Sequence, residues 1–279
     1  MAAPIQTCYR HTDRRAGVTC QRCDRPICPQ CMSQASVGFH CPECSKQGKQ
    51  KVYTARNVFG GAQPIVTQVL IAINVLVYLA SASNNQVTVD YGLVGSGLVI
   101  DPGQLLPKAV GVAHGEWYRL VTGGFLHANV LHIGLNMWAL WILGSQLEPA
   151  LGRLRYALVY GSSLLAGSLG VMLLSPHTVT VGASGAIFGL LGVAIAAQRA
   201  HGIDIWQSGL GMVLMVNLAI TFGLSSEISV GGHLGGLAGG FVCGLILYEL
   251  GSRVKDRTLP MVLCGAVGVV CFVAALVVA

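Results

Sequence analysis

Beyond residue 64, charged side chains occur only in short segments that separate long apolar runs, and this spacing leaves few folds open to the chain. An uncharged stretch of about 20 residues reads as a bilayer-spanning helix. A helix suits that role because it satisfies its own backbone groups where no water is present. The first run extends from about Pro64 to Ser83 and the second from about Val130 to Leu147. Residues Tyr156 to Gln198 carry no charge but are too many for one span, and Ser175-Pro176-His177 divides them into a third and a fourth. The fifth lies between Asp204 and Glu227, the sixth between Glu227 and Glu249, and the seventh follows Arg257. The fold expected is therefore an all-α polytopic membrane protein. A content of 53% hydrophobic and 10% charged residues excludes an ordinary soluble domain.

Basic residues give the orientation. Residues 1–56 hold nine basic and three acidic side chains, and the remainder holds eight of each, so the net charge of +6 belongs to the N-terminal segment. With the N-terminus in the cytoplasm, the inner loops carry Arg56, Arg153, Arg155, Arg199, Arg253, Lys255 and Arg257, while the outer loops carry only Lys108 and Arg119. That is the positive-inside asymmetry, and it places the end of the seventh span outside. Beside a membrane the basic segment more simply faces anionic headgroups than nucleic acid. The first 50 residues are hydrophilic, so no cleavable signal peptide is expected.

Three polar clusters sit inside the apolar runs: Gly182-Ala183-Ser184-Gly185, Gly231-Gly232-His233, and His127 with His132 and Asn136. In this topology all three lie at the outer ends of spans two, four and six, hence at one depth. Burying such groups is costly, which makes them functional candidates. Serine needs a base to become a useful nucleophile, and His233 is the only histidine in the later spans. No carboxylate lies near either residue in spans four or six, so a Ser–His dyad is expected rather than a triad. Ser184 at a helix start sits where free backbone N–H groups can stabilise an oxyanion. His132 and Asn136, four residues apart, share a helix face and can both donate hydrogen bonds. Each residue alone has a plainer role: serine bonding its own backbone, and histidine or asparagine joining helices. Their shared depth favours chemistry.

Span six repeats Gly232, Gly236, Gly240 and Gly244, with Gly231, Gly235 and Gly239 alongside, and span four offers Gly185, Gly189 and Gly192. Small residues at this spacing let membrane helices meet backbone to backbone. Such a seam would bring Ser184 and His233 together.

These elements resemble the signature of rhomboid intramembrane serine proteases: Gly182-Ala183-Ser184-Gly185, His233 followed by Leu234-Gly235-Gly236, and His127-x4-His132-x3-Asn136. Trp117-Tyr118-Arg119 is similar to the family's Trp-Arg element with one residue inserted, and the resemblance covers about residues 60–250. It implies a six-span core plus one C-terminal span. Ser184 would be the nucleophile and His233 the base, with Asn136, His132 and the Ser184 N–H, next to Gly182, as the oxyanion hole. Transmembrane protein segments would be the substrates. Phe188 stands where many relatives have a tyrosine against the catalytic histidine. The alternative is a catalytically inactive rhomboid-like scaffold. Retention of both Ser184 and His233 disfavours it, and a metalloprotease motif is absent.

The first 50 residues form a separate unit. Cys8-x2-His11, Cys20-x2-Cys23, Cys28-x2-Cys31 and His40-Cys41-x2-Cys44 supply the ligands of two tetrahedral zinc ions. A cytoplasmic location argues against disulfides. The spacing resembles B-box and related cross-brace modules. In that arrangement Cys8, His11, Cys28 and Cys31 would bind one ion, and Cys20, Cys23, Cys41 and Cys44 the other, with His40 as an alternative to Cys41. The organisation expected is a cytoplasmic zinc module (1–50), a basic juxtamembrane linker (51–63), a six-span core (64–250), and a cytoplasmic loop with the seventh span (251–279). The module is a candidate for binding a cytoplasmic protein partner.

Overall fold

The computed structural model describes residues 6–35, 37–47, 63–99 and 107–279. The chain divides into two compact units, Met1–Gly61 and Ala62–Ala279. Of the juxtamembrane linker expected at 51–63, residues 51–62 lie outside the described residues.

The N-terminal unit is built from very short elements. Strands β1 (Val18–Thr19) and β2 (Pro26–Ile27) pair antiparallel, as do β3 (Ser33–Gln34) and β4 (Phe39–His40), and helix α1 (Pro42–Gln47) follows. Ile27 is the one fully buried aliphatic side chain among its described residues. The remaining buried core is Cys8, Cys20, Cys28, Cys31, Cys41 and Cys44. A core made mainly of thiols buries too little hydrocarbon to fold so short a segment alone.

In the second unit each charge-free stretch of the sequence holds an apolar helix. These are α2 (Ile65–Ser81), α5 (Val130–Leu151), α6 (Arg153–Leu174), α7 (Ser184–Ala200), α8 (Leu210–Gly223), α9 (Val230–Leu245) and α10 (Leu259–Val278). Helix α9 runs on through one π-helical turn, Ile246–Leu250, to Arg253. Helices α5, α6, extended α9 and α10 are long and apolar enough to cross a membrane. Helices α2, α7 and α8 are shorter. At 17 residues α7 measures about 25 Å, less than the roughly 30 Å of a bilayer core. Between α2 and α5 a long loop contains α3 (Asn85–Tyr91), the hairpin β5–β6 (Gly97–Val99 with Lys108–Val110) and the single turn α4 (Arg119–Thr122).

Glycines set the centre of this unit. On α9 one row faces α7: a Cβ at Gly236 would strike the Gly185 carbonyl, one at Gly240 the Gly189 carbonyl, and one at Gly244 the Ala196 methyl. The neighbouring row faces α6, with Gly231 against the Gly170 carbonyl and Gly235 against that of Ala166. The expected seam between spans four and six is thus present. A second seam, against span three, comes with it, so α9 is wedged between two helices at backbone contact.

Two charged residues differ from their sequence reading. Glu148 was expected to mark the end of span two, yet it is 2% exposed and lies within α5. Its carboxylate accepts hydrogen bonds from the N–H groups of Val66 and Thr67 (2.9 and 2.8 Å) and from the Thr67 hydroxyl (2.8 Å). It therefore caps the free amides at the start of α2. Arg119, read as an outer-loop charge, is 1% exposed. It donates to Glu116 Oε2 at 2.6 Å and to the carbonyls of Val89 and Gly92, both at 2.7 Å. Burial alone would raise the Glu116 carboxyl, but the Gly111 N–H and the Arg119 guanidinium outweigh it and hold it below its ordinary range. Arg119 thus ties the long loop to itself, while Trp117 beside it packs edge-on against Phe272 of α10 at 6.3 Å.

Candidate active site

Ser184 is the first residue of α7, and its backbone N–H has no partner within the helix. The approach to it is strapped down. Leu93 and Thr180 exchange backbone hydrogen bonds (3.0 and 2.7 Å), and the Gly182 N–H donates to the Gly123 carbonyl at 3.0 Å. Gly182 has φ +128°, which suits glycine. A Cβ there would lie 2.7 Å from His132 Nε2 and 3.5 Å from Asn136 Nδ2. Glycine is needed at 182 for both torsion and space, because any side chain would fill the recess into which these two residues reach.

His233 lies in the first turn of α9, which the Ser229 hydroxyl caps by accepting from the Gly232 N–H at 3.1 Å. The Phe188 ring stacks on its imidazole, with centroids 3.9 Å apart and planes 20° apart. On α5, Asn129 caps the helix by accepting from the His132 N–H at 2.9 Å. Asn136, one turn further on, is 8% exposed, and its Nδ2 is a buried donor without a partner among the described residues. His127 packs edge-on to His132 at 5.1 Å, and among the described residues both of its ring nitrogens are likewise unpaired.

Ser184, His233, His132, Asn136 and Gly182 all line one cavity of about 750 Å³ with mostly apolar walls. Residues about 50 apart in sequence, on α5, α7 and α9, are brought together there. No hydrogen bond joins the Ser184 hydroxyl to His233 among the described residues. Such bonds are often loose without substrate and tighten in the reacting complex. Chemically the arrangement offers a hydroxyl at a positive helix end, an imidazole beside it, and an unpaired amide donor opposite. Sequence reasoning missed one neighbour. The Thr221 hydroxyl lies 2.7 Å from His233 Nδ1.

In the N-terminal unit the ligand atoms form two clusters: Cys8, His11, Cys28 and Cys31, and Cys20, Cys23, Cys41 and Cys44. Within each set all ligand atoms lie within 4.8 Å of one another. Around tetrahedral zinc, Zn–S bonds of about 2.3 Å put sulfurs about 3.8 Å apart. Cys23 and Cys41 Sγ are 3.8 Å apart, and His11 Nδ1 is 3.4 Å from the sulfurs of Cys28 and Cys31. The donor sets and their spacing fit zinc. Cys41, and not His40, joins the second cluster.

Comparison with known proteins agrees with this geometry. The rhomboid domain profile matches residues 114–250. Rhomboid protease GluP of Bacillus subtilis (strain 168) is 30% identical over 210 residues, covering 72% of this chain and 38% of that protein. Putative rhomboid protease YdcA of the same organism is 36% identical over 147 residues, covering 52% of this chain and 74% of YdcA. Rhomboid-type serine protease 2 of Emericella nidulans is 30% identical over 146 residues, 51% of this chain and 29% of the relative. The chain thus spans well under half the length of some of these relatives and about three quarters of YdcA.

Proposed function

The chain belongs to the rhomboid family, and we propose that it is an intramembrane serine endopeptidase acting through Ser184 and His233. The observation that carries this reading is the shared cavity. A helix-start serine, a stacked imidazole and an unpaired buried amide converge there from three separate helices. Ser184 Oγ attacks the scissile carbonyl carbon, the carbonyl electron pair moves to oxygen, and the hydroxyl proton passes to His233. The developing oxyanion is met by Asn136 Nδ2, the His132 ring and the Ser184 N–H, in a space that Gly182 keeps open. The protonated His233 then returns its proton to the leaving amine, and a water repeats the cycle on the acyl-enzyme.

The substrates are transmembrane or membrane-proximal segments of other membrane proteins, since an apolar cavity among apolar helices selects such chains. By the positive-inside rule the zinc module faces the cytoplasm, the chain end after α10 faces the opposite side, and the protein resides in the cell membrane. The module's Cys8, His11, Cys28 and Cys31 would hold one structural zinc ion, and Cys20, Cys23, Cys41 and Cys44 a second. When bound, they would supply folding energy to a segment with little hydrocarbon core and take no part in the hydrolysis.

The test combines fluorophosphonate labelling with cleavage of a transmembrane substrate in liposomes. Ser184→Ala and His233→Ala should each lose several orders of magnitude in turnover while remaining folded, and Ser184→Ala should lose labelling altogether. Substantial turnover by folded Ser184→Ala protein would refute the assignment.

A further inference from the structure

We infer that Thr221 is a positioning residue for the base, holding His233 in the one tautomer that can take the serine proton; this rests on the protease reading above. Thr221 is fully buried on α8, a helix on which Gly211 is the only other buried residue. Its Oγ1 has two close polar neighbours: the Asn217 carbonyl at 2.7 Å and His233 Nδ1 at 2.7 Å. A carbonyl oxygen can only accept, and a hydroxyl has only one proton to donate. The Thr221 proton therefore goes to Asn217, and the oxygen faces His233 as an acceptor. His233 must then carry its ring proton on Nδ1, which leaves the Nε2 lone pair as the base.

The location supports this role. Thr221 is absent from the lining of the cavity that holds Ser184 and His233, whereas its neighbours Asn217 and Ile220 are part of that lining. Its hydroxyl thus meets the imidazole from behind, out of reach of substrate. Phe188 covers a face of the ring, and among the described residues no carboxylate is hydrogen-bonded to it. When Nε2 takes the proton from Ser184, the ring becomes cationic. The Nδ1–H···Oγ1 bond then strengthens as a charge-assisted one. The Asn217 carbonyl, by accepting from the same hydroxyl, polarises that oxygen further. A neutral hydroxyl backed by a main-chain carbonyl fills the place that an aspartate occupies in a Ser–His–Asp triad. It does so without burying a second charge.

The experiment uses the full chain in liposomes, with Thr221→Val and Thr221→Ser beside wild type and Ser184→Ala. Valine keeps the shape and removes the hydroxyl, while serine keeps the hydroxyl and removes a methyl. Thr221→Val should lower kcat roughly 10- to 100-fold, the effect of losing one hydrogen bond to a charged group, with KM nearly unchanged. Thr221→Ser should restore most of the loss. Independently of folding in the variants, ¹⁵N spectra of the wild-type His233 ring should show the proton on Nδ1. Wild-type kcat in Thr221→Val, a loss that serine fails to restore, or a proton found on Nε2 would each overturn the inference and leave the protease reading intact. A wild type that neither labels nor cleaves would overturn both.

Discussion

Replacing Gly236 by alanine should uncouple stability from catalysis in a way that a matched control makes plain. An alanine Cβ at 236 would lie 2.7 Å from the Gly185 carbonyl carbon and 3.1 Å from its Cα, with the carbonyl oxygen nearer still. Carbon atoms in good contact sit about 3.5–4.0 Å apart, so α9 must retreat from α7 by about 1 Å. No rotamer change relieves this, because both contacting groups are backbone. Overpacking of this kind costs about 1–3 kcal/mol, offset by the roughly 1 kcal/mol that alanine gains over glycine in a helix. The net loss of stability should therefore be modest. Catalysis is more exposed. Gly185 follows the nucleophile directly, Gly236 stands one turn below the base, and a 1 Å misplacement can cost about 100-fold in rate. The control is Gly265→Ala on α10, whose Cβ would meet nothing nearer than Leu158 Cδ2 at 4.0 Å. It should be neutral or slightly stabilising and fully active. Thermal unfolding and initial cleavage rates, measured on the same preparations, read both quantities. Wild-type turnover in Gly236→Ala would show that the seam does not set the dyad.

Asn136→Ala should lower kcat roughly 100- to 1000-fold, the usual loss for one oxyanion donor, with little change in substrate binding. Unchanged turnover would make Asn136 a link between helices and nothing more. The zinc module should carry two ions per chain by metal analysis. Chelation should unfold residues 6–47 by their NMR or circular dichroism signals while cleavage in detergent persists. One ion or none would refute the paired sites, and loss of cleavage would make the module part of the enzyme.

How far the sequence alone could be read depended on whether each residue's role had a local cause. Apolar runs bounded by charges located the seven apolar helices found among the described residues of the second unit, four of them long enough to cross a membrane, because a helix that faces lipid must be apolar along its whole length. The Cys-x2-Cys pairs announced metal clusters, since two ligands at that spacing already reach one ion. The glycine period on α9 announced a seam, although its second row, against α6, was not foreseen. What stayed hidden depends on distant partners. Glu148 looked like a boundary because charge counting cannot know that the amides of Val66 and Thr67 lie across from it. Arg119 looked like a loop charge because its acceptors, Val89 and Gly92, come from a segment some 30 residues earlier. Thr221 gave no signal, since a threonine in an apolar helix ordinarily bonds its own turn, as this one also does.

The four-residue repeat of glycines on α9 also governs how that helix can move. A slide of one residue would drive side chains such as Leu237 and Phe241 toward the carbonyls that glycine now accommodates. A slide of four would set glycine against carbonyl again, but displaced by about 6 Å, carrying His233 out of reach of Ser184. The permitted depths of the base are therefore discrete, with a forbidden interval between them. Small disturbances of the surrounding bilayer cannot detune such a dyad gradually. On the proposed mechanism, the chain then either keeps Ser184 and His233 in register or separates them by a full helical step.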